Sequence, residues 1–354
     1  MNAVIDSNGP AYAVVDGDVH RDRDKVIGIW RGNLGSEHRL NAKYDWFYLQ
    51  CPWGEPLLQA LRHEPTGEWV GVAAIGPRRM LWQGREIRAG VLVDMAVTAR
   101  HRTLGPALIL QQGVIDRAME HFELIYGFPN PKAVAVVKRV GYRKLGDIVR
   151  CSRVLRHAPY LQRLMPHALA LPLGGLIDVL DRIGDVWRSW RTGHCDFEWS
   201  DRVDPRMQAL WTEAQPGNGL LSVRDAVGLR WRFDQSGVHR SRYLLVGAHR
   251  GGPLTAWFAC QVEDSTLHVR DFWSVGAAHG TPRAAVEALV RAARAEGHSV
   301  ISVQYAGPHD TFAAWRAARF VERDRRPVFG KWRASLEPAV RTGAIYLTPA
   351  DEDE

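Results

Sequence analysis

The pattern of apolar and polar positions divides the chain into two stretches that read alike. In the first stretch, short apolar runs predict strands at 57–61, 69–75, 81–82, 85–87, 91–97 and 123–126. Gln83 and Gly84 stand between two of these strands and predict a tight hairpin turn. Apolar residues at helical spacing predict a helix over 105–121 and a second helix that begins at Asn130 and ends at Gly141.

The second stretch repeats this order of elements. Its apolar runs predict strands at 243–246, 255–262, 266–273 and 300–304. A helix follows the third of these strands, with Thr281 as its predicted cap and Gly297 at its end, and a last helix covers 311–318. Aromatic segments at 45–48 and 230–233 precede the first strand of each stretch at a similar distance. We therefore predict an α/β protein of the α+β kind, with two tandem units, each a mixed, mostly antiparallel sheet flanked by helices.

The predicted domain organisation has five parts. Residues 1–24 are polar and rich in Gly and Asp, which is typical of a mobile lead-in. The first unit covers 25–155 and the second covers 196–335, with a helical linker at 156–195. Residues 336–354 end in the acidic sequence TPADEDE, and we expect them to form a mobile tail. Two units fit the length of 354 residues, which is more than one compact domain usually needs.

The linker contains an apolar helical pattern over 164–190. Asp178, Asp181 and Asp185 interrupt this pattern, which favours a helix between the two units whose apolar side packs on a core. Peripheral contact with a membrane surface through 164–190 is the alternative.

Composition and charge narrow the functional classes. The formal net charge is +7 and hydrophobic residues make up 46%, which is typical of a globular protein and suits an anionic ligand. The basic residues are dispersed and no recognition motif occurs, which argues against nucleic acid. The four cysteines lie far apart and predict neither a disulfide framework nor a metal site. The start has no signal-peptide pattern and no apolar run reaches the length of a membrane span, so we expect a cytoplasmic protein. We expect a monomer or a homodimer.

One segment carries the sharpest chemical signal. Residues 93–108, VDMAVTARHRTLGPAL, combine an apolar strand, a short basic turn and the start of a helix. A helix N-terminus offers free backbone N–H groups and the positive end of a dipole, which suits a pyrophosphate. Arg102 adds fixed charge, Gly105 lets a ligand approach the backbone, and Ala107 is too small to obstruct it.

The string Arg102-x-x-Gly105-x-Ala107 resembles the acyl-CoA pyrophosphate loop of the GNAT (Gcn5-related) N-acetyltransferase superfamily. The stretch YGFPNPKAVAVVKRVGYRKLG, at 126–146, resembles a later strand, a helix start and the closing motif of that family. The resemblance covers about residues 25–150, and the second unit resembles the family only in outline, as a degenerate copy. It implies acetyl-CoA as co-substrate and no metal. The residues that it places against the co-substrate are Met95, Ala96, Val97, Arg102, Thr103, Leu104, Gly105, Pro106, Ala107 and Asn130.

Two side chains are candidates for proton transfer. Asp94 is a carboxylate within an apolar strand, where burial favours a base, and a structural role is its alternative. Tyr126, at the end of the predicted strand 123–126, is the candidate acid for the leaving thiolate, with packing as its alternative. The sequence departs from the family at two positions. Val137 stands where many members carry a tyrosine acid, and Pro106 has no N–H to donate.

The resemblance implies an acyl-CoA-dependent N-acyltransferase that moves an acetyl group to a small-molecule or glycan amine, such as an amino sugar or a cell-surface polysaccharide precursor. A Fem-like aminoacyl or longer-chain acyltransferase is one alternative, and a non-catalytic acyl-CoA-binding regulatory module is another. Four aromatic residues are candidates for lining the acceptor pocket, with core packing as their alternative: Trp46, Tyr48, Trp53 and Trp82. We expect one co-substrate per chain, because the loop before Thr281 lacks the glycine spacing of the first unit and its threonine resembles an ordinary helix cap.

Overall fold

The computed structural model describes residues 11–131, 133–162, 164–214, 216–237, 239–336 and 344–352, without the side chains of Glu37, Ser189 and Arg191. The strands are β1 (Tyr12–Asp16), β2 (Leu57–His63), β3 (Trp69–Trp82), β4 (Arg85–Val97), β5 (Leu124–Gly127), β6 (Arg143–Val154), β7 (Asp196–Ser200), β8 (Leu220–Ser222), β9 (Ser241–Gly247), β10 (Leu254–Glu263), β11 (Thr266–Ser274), β12 (Val300–Tyr305), β13 (Val321–Trp332) and β14 (Ile345–Tyr346). The helices are α1 (Arg23–Trp30), α2 (Glu37–Lys43), α3 (Leu104–His121), α4 (Val134–Arg139), α5 (Ala158–Leu161), α6 (His167–Thr192), α7 (Pro205–Glu213), α8 (Ala226–Leu229), α9 (Arg283–Ala295) and α10 (Ala313–Ala317). Short π-helical turns occupy Tyr44–Leu49 and Arg230–Asp234.

Strand pairing joins both stretches of the chain in one sheet. Its order is β1-β2-β3-β4-β5-β13-β6-β12-β11-β10-β9-β7, with β8 paired to β3 and β14 paired to β8. Strand β13, from the second stretch, lies between β5 and β6 of the first, and β6 in turn pairs with β12 of the second. The predicted mixed, mostly antiparallel sheet flanked by helices is confirmed. Each half completes its sheet with a strand from the other, so the halves depend on one another for their main-chain hydrogen bonds.

The predicted strands are present, most of them with longer bounds, whereas helices α4, α9 and α10 are shorter than predicted. Gln83 and Gly84 both have positive φ angles, 52° and 73°, as the predicted two-residue hairpin turn requires. The predicted runs on either side fuse into the long strands β3 and β4, paired from Gly71 with Val97 to Trp82 with Arg85. Strand β6 was not predicted. Its sequence is rich in charge, and its two partners, β12 and β13, come from distant parts of the chain.

The predicted mobile lead-in is wrong for its described part. Residues Tyr12–Asp16 pair antiparallel with β2, and α1 begins at Arg23. Helix α3 packs closely on β1, because a Cβ added at Gly113 would lie 2.7 Å from a methyl group of Val14. Residues 1–10 lie outside the described part.

The predicted mobile tail is also wrong for its described part. Thr348 is fully buried, and its side chain and that of Asp351 form a capping box around a short helical turn. Arg224 is buried between Asp271 and Asp351, at 3.0 and 3.3 Å, so it fastens the C-terminal segment to β11. Residues 337–343 and 353–354 lie outside the described part.

A stacked tryptophan pair joins the two aromatic segments that the sequence showed to be alike. The rings of Trp46 and Trp231 are 5.1 Å apart, and each lies on one of the π-helical turns. The indole N–H of Trp46 donates to the carbonyl of Trp231 at 2.7 Å, and that of Trp231 donates to the carbonyl of Trp46 at 3.3 Å. This reciprocal contact gives the centre of the molecule a local twofold character. Trp46 and Tyr48 are both buried, so core packing accounts for them better than a pocket lining.

The linker helix α6 is oriented opposite to the prediction. Its apolar residues are exposed, and its three aspartates face the rest of the protein. In the described part of the chain, no helix combines the length and the apolar character needed to cross a membrane.

Candidate functional site

Strand β4 extends well beyond its ladder with the short strand β5. Their parallel ladder runs from Ala89 with Leu124 to Val91 with Tyr126 and stops there, although β4 continues to Val97. The other edge of β4 stays paired with β3 up to Val97. Met95, Ala96 and Val97 therefore lie in a stretch of β4 that pairs with no described strand on its β5 side. We call the space beside this stretch the opening between β4 and β5; the main chain there can form hydrogen bonds with an extended ligand.

A β-bulge in this part of β4 orients Asp94. The register with β3 shifts between Val72 and Ala74, so Asp94 and Met95 together stand opposite Ala73. Asp94 has a φ of +52°, a conformation that aspartate tolerates better than most residues. As a result, Val93 and Asp94 both point to the side of the sheet that carries the π-helical turn 44–49, instead of to opposite sides.

Both carboxylate oxygens of Asp94 have a partner, one at the end of α2 and one on this turn. The ammonium group of Lys43 lies 2.7 Å from Oδ1, and the hydroxyl of Tyr48 donates to Oδ2 at 3.0 Å. The Asp94 side chain is only 4% exposed and that of Lys43 only 18%. A buried cation and a donated hydrogen bond both stabilise the ionised carboxylate.

The loop after β4 leads into an uncapped helix. Thr103 precedes α3 in extended conformation and makes no capping hydrogen bond with its side chain. The first turn of α3 contains Leu104 and Gly105, which can offer N–H groups, and Pro106, which cannot. A Cβ added at Gly105 would meet no atom within 4 Å, so neither packing nor backbone conformation in the chain itself requires glycine there. Open space beside free helix N–H groups suits an anionic ligand.

Arg102 lies on the surface beside this helix start. Its Nε donates to the carbonyl of Val97 at 3.2 Å, and its guanidinium also contacts the amide oxygen of Asn33. These contacts hold the guanidinium between the end of β4 and α3 while it remains exposed. Arg102 thus lies where β4 ends and α3 begins.

The segment after β5 carries the other residues that the sequence singled out. The side chain of Asn130 accepts a hydrogen bond from the N–H of Ala133 at 3.0 Å, so it caps the turn that leads into α4, although α4 itself begins only at Val134. Val137 is buried in the core between α3, α4 and β5. It fills space there and has no proton to give.

Tyr126 lies at the centre of the molecule. It has no exposed surface, and its hydroxyl donates to the carbonyl of Asp351 in the C-terminal segment at 2.9 Å. Burial raises the pKa of this hydroxyl well above its usual value, which makes it a weaker acid. Tyr126 thus joins β5 to the C-terminal segment, and its geometry favours the structural alternative over proton transfer.

The second half also has a long strand that outruns its parallel partner and an uncapped helix start, although the sequence predicted an ordinary capped helix there. The ladder between β11 and β12 stops at Val269 and Val303, although β11 continues to Ser274. The predicted cap on α9 is wrong: the helix begins at Arg283, Pro282 precedes it, and no side chain caps it. A depression of 520 Å³ lies beside this helix start. Arg283 differs from Arg102, because Glu287 pairs with its guanidinium at 3.0 Å and reduces its capacity to bind an anion.

Sequence reasoning missed Lys43 as the partner of Asp94 and the buried place of the C-terminal segment. No local pattern marks Lys43, since the two residues lie far apart in the chain. A signal for the C-terminal segment was available, because Thr348-Pro349-Ala350-Asp351 has the composition of a capping box and of a helix start with proline.

Comparison with known proteins gives similarity in structure alone. No family model matches the sequence, and no curated protein matches it. A GCN5-related N-acetyltransferase from Anabaena variabilis has a TM-score of 0.62 with 11% identity, over 92% of this chain and 74% of that chain. A GCN5-related glucosamine N-acetyltransferase region of a fungal multi-domain GH3 β-N-acetylglucosaminidase has a TM-score of 0.57 with 12% identity, over 93% of this chain and 39% of that chain.

A third similar structure is Saccharomyces cerevisiae N-myristoyltransferase with bound myristoyl-CoA. Its TM-score is 0.52 with 10% identity, over 92% of this chain and 84% of that chain. At these identities the likeness concerns the fold. The chain has the fold of the GCN5-related N-acetyltransferases, so the resemblance that the sequence indicated is confirmed at that level.

Proposed function

We propose that the protein is an acyl-CoA-dependent N-acyltransferase that transfers acetyl from acetyl-CoA to an amine, with an amino sugar or a cell-surface polysaccharide precursor as acceptor. The observation that carries the proposal is the opening between β4 and β5, which ends at the uncapped start of α3. The unpaired edge of β4 can bind the extended arm of a ligand, and the adjacent start of α3 can bind a pyrophosphate at the end of that arm.

The residues present fit such a co-substrate. The main chain of Met95, Ala96 and Val97 would bind the pantetheine arm along the open edge of β4. Arg102 and the first turn of α3, from Thr103 to Ala107, would hold the pyrophosphate, with N–H groups from Leu104 and Gly105. Asn130 would lie close to the arm, with its side chain held by the turn that it caps. The bound co-substrate supplies the activated thioester.

Asp94 is the proposed base for the acceptor amine, which must lose a proton as it attacks. The bulge places Asp94 next to Met95, at the edge that would bind the pantetheine arm. Lys43 and Tyr48 fix the orientation of the carboxylate through their contacts with Oδ1 and Oδ2. Val137 cannot protonate the thiolate, but free thiols have a pKa of about 8.5, so a thiolate can leave at neutral pH without an acid.

A thiol-release assay tests this proposal. We expect thiol release from acetyl-CoA that depends on one acceptor in a panel of amino sugars, nucleotide sugars, polyamines and peptides. The N-myristoyltransferase-like fold favours extending the donor panel from acetyl-CoA to long-chain acyl-CoA and to an aminoacyl-tRNA, which tests the longer-chain and Fem-like alternatives. Calorimetric binding of acetyl-CoA without turnover of any donor and acceptor pair would favour the regulatory module. Absence of acyl-CoA binding would refute both.

The number of co-substrate sites is a further part of the proposal. The second half has an opening and a free helix start of its own, but Glu287 pairs with Arg283 there. Since a paired guanidinium attracts an anion less, we expect calorimetry with acetyl-CoA to give a stoichiometry near one. Two equivalent sites per chain would contradict this expectation.

A further inference from the structure

Helix α6 exposes an unusually large apolar surface. Of the nineteen large apolar side chains that are exposed in the described part of the chain, eleven lie between Leu164 and Trp190. Soluble monomers rarely expose a contiguous apolar patch of more than a few hundred Å². The α6 apolar face comprises Leu169, Leu173, Leu176, Val179, Leu180, Ile183, Val186, Trp187 and Trp190, which are 41–87% exposed.

The polar side of α6 faces the protein. Asp185 pairs with Arg153 of β6 at 2.5 Å and with Arg294 of α9 at 3.1 Å. Asp178 lies 2.7 Å from Nδ1 of His157, and Asp181 pairs with Arg319. Burial opposes ionisation of Asp185, but the neighbouring Arg153 and other arginines hold the pKa of its carboxyl below its usual value. These ion pairs fix the rotation of α6 and turn its apolar side outward.

The exposed side of α6 carries no exposed carboxylate among its described side chains, which favours contact with an anionic surface. All three aspartates of α6 are directed inward, and Arg182 and His167 are the charged or titratable residues that its described side chains expose. The whole chain carries a formal net charge of +7. An anionic surface approaching the α6 apolar face would therefore meet Arg182 and no exposed carboxylate among the described side chains of this helix.

The width of the apolar stripe distinguishes a bilayer from a second copy of the chain. The residues that alternate by three and four positions would form a coiled-coil seam: Leu169, Leu173, Leu176, Leu180, Ile183, Trp187 and Trp190. Coiled coils usually flank such a seam with charged residues that set the partner and register. Here the flanking positions are uncharged over 170–186: Ala170, Pro172, Ile177, Val179, Gly184 and Val186.

The length and the aromatic end of α6 also fit a bilayer surface. The helix has 26 residues and is therefore about 39 Å long, so it can lie along a membrane for its full length. Trp187 and Trp190 are 70% and 87% exposed, and indole rings favour the boundary between lipid and water. A broad stripe without charged borders suits partial immersion among lipid headgroups.

We propose that the α6 apolar face binds the surface of an anionic lipid bilayer and holds the protein there, with the helix parallel to the membrane plane. This inference concerns the location of the protein and is independent of the proposed chemistry. The partner is a lipid surface, which needs no matching side chains and only an apolar interior beneath anionic headgroups.

Vesicle co-sedimentation of the full chain tests this proposal. We expect binding to vesicles of equal parts phosphatidylcholine and phosphatidylglycerol. The double variant Leu180→Glu with Ile183→Glu should bind at least tenfold more weakly, because two charges would enter the lipid interface. Val262→Glu is the control, since Val262 is 53% exposed on β10 and is not part of the α6 apolar face, so this variant should bind like the parent.

Fluorescence with brominated lipids tests the orientation. Trp187→Phe with Trp190→Phe should keep binding but lose most of the bromine quenching, because the other twelve tryptophans are buried or half-buried. Thermal unfolding checks that each variant folds. The proposal is overturned if the parent does not bind these vesicles, or if the double glutamate variant binds them as well as the parent does. If the parent does not bind vesicles but forms a dimer in sedimentation equilibrium that the double glutamate variant dissociates, the α6 apolar face binds a second copy of the chain instead.

Discussion

Replacing Gly105 with aspartate tests whether the start of α3 is an anion-binding site or an ordinary helix start. Gly105 is the second residue of α3, and an added Cβ would meet no atom within 4 Å. A carboxylate in the first turn of a helix gains about 0.3–1 kcal/mol from the helix dipole. In the free protein, Gly105→Asp should therefore leave the free energy of unfolding unchanged or raise it.

The same carboxylate should oppose binding of acetyl-CoA. At about 5 Å, two unit charges repel by roughly 1 kcal/mol in water and by roughly 3 kcal/mol at the effective dielectric constant of a protein surface. Each 1.4 kcal/mol is about a tenfold change in affinity, so Gly105→Asp should weaken binding by roughly tenfold to a hundredfold. The loss should shrink as salt is added, because ions screen exposed charges.

Calorimetric titration at low and high salt measures this effect, with thermal unfolding in parallel. Gly28→Asp is the matched control, because Gly28 is a helical, exposed glycine whose added Cβ would also meet nothing within 4 Å. It should bind acetyl-CoA like the parent. If Gly105→Asp binds as tightly as Gly28→Asp at low salt, the start of α3 does not hold the pyrophosphate and the reasoning from its free N–H groups fails.

Further substitutions test the neighbouring groups. Arg102→Ala should weaken acetyl-CoA binding by about 1.5–3 kcal/mol, the scale of a charged hydrogen bond, and parental affinity in calorimetry would remove Arg102 from the site. Asp94→Asn keeps a residue that tolerates positive φ, so we expect acetyl-CoA affinity near the parent but turnover at least tenfold lower; unchanged turnover would exclude Asp94 as the base. Tyr126→Phe should cost about 1 kcal/mol of stability through its lost bond to Asp351 and leave turnover within a few-fold, whereas a large loss of kcat at parental stability would restore Tyr126 as the acid. A disulfide reagent should label Cys195 first in the native protein and Cys151 only after unfolding, because burial raises the pKa of the Cys151 thiol to about 11; equal labelling rates would contradict the buried position of Cys151.

Local sequence patterns predicted the elements whose stability comes from near neighbours. The hairpin at Gln83 and Gly84 needs two residues with positive φ, and this requirement is visible in the sequence. The same holds for α3, whose apolar spacing reports the side that packs on the sheet. The loop from Arg102 to Gly105 could be predicted as a candidate anion site for the same reason, since a strand, a turn and a helix start are consecutive in the chain.

What required the tertiary structure depends on contacts between distant residues. The exchange of β6 and β13 joins segments more than 150 residues apart, and no local pattern specifies which strand completes a sheet. The partners of Asp94 and the buried position of the C-terminal segment could not be predicted for the same reason. Their contacts join residues that are distant in the sequence and that only the fold brings together. Helix α6 shows the reason most plainly. Its sequence specified an amphipathic helix, but arginines on β6 and α9 decided which side faces the protein, since pairing the aspartates inward stabilises more than leaving those arginines buried and unpaired.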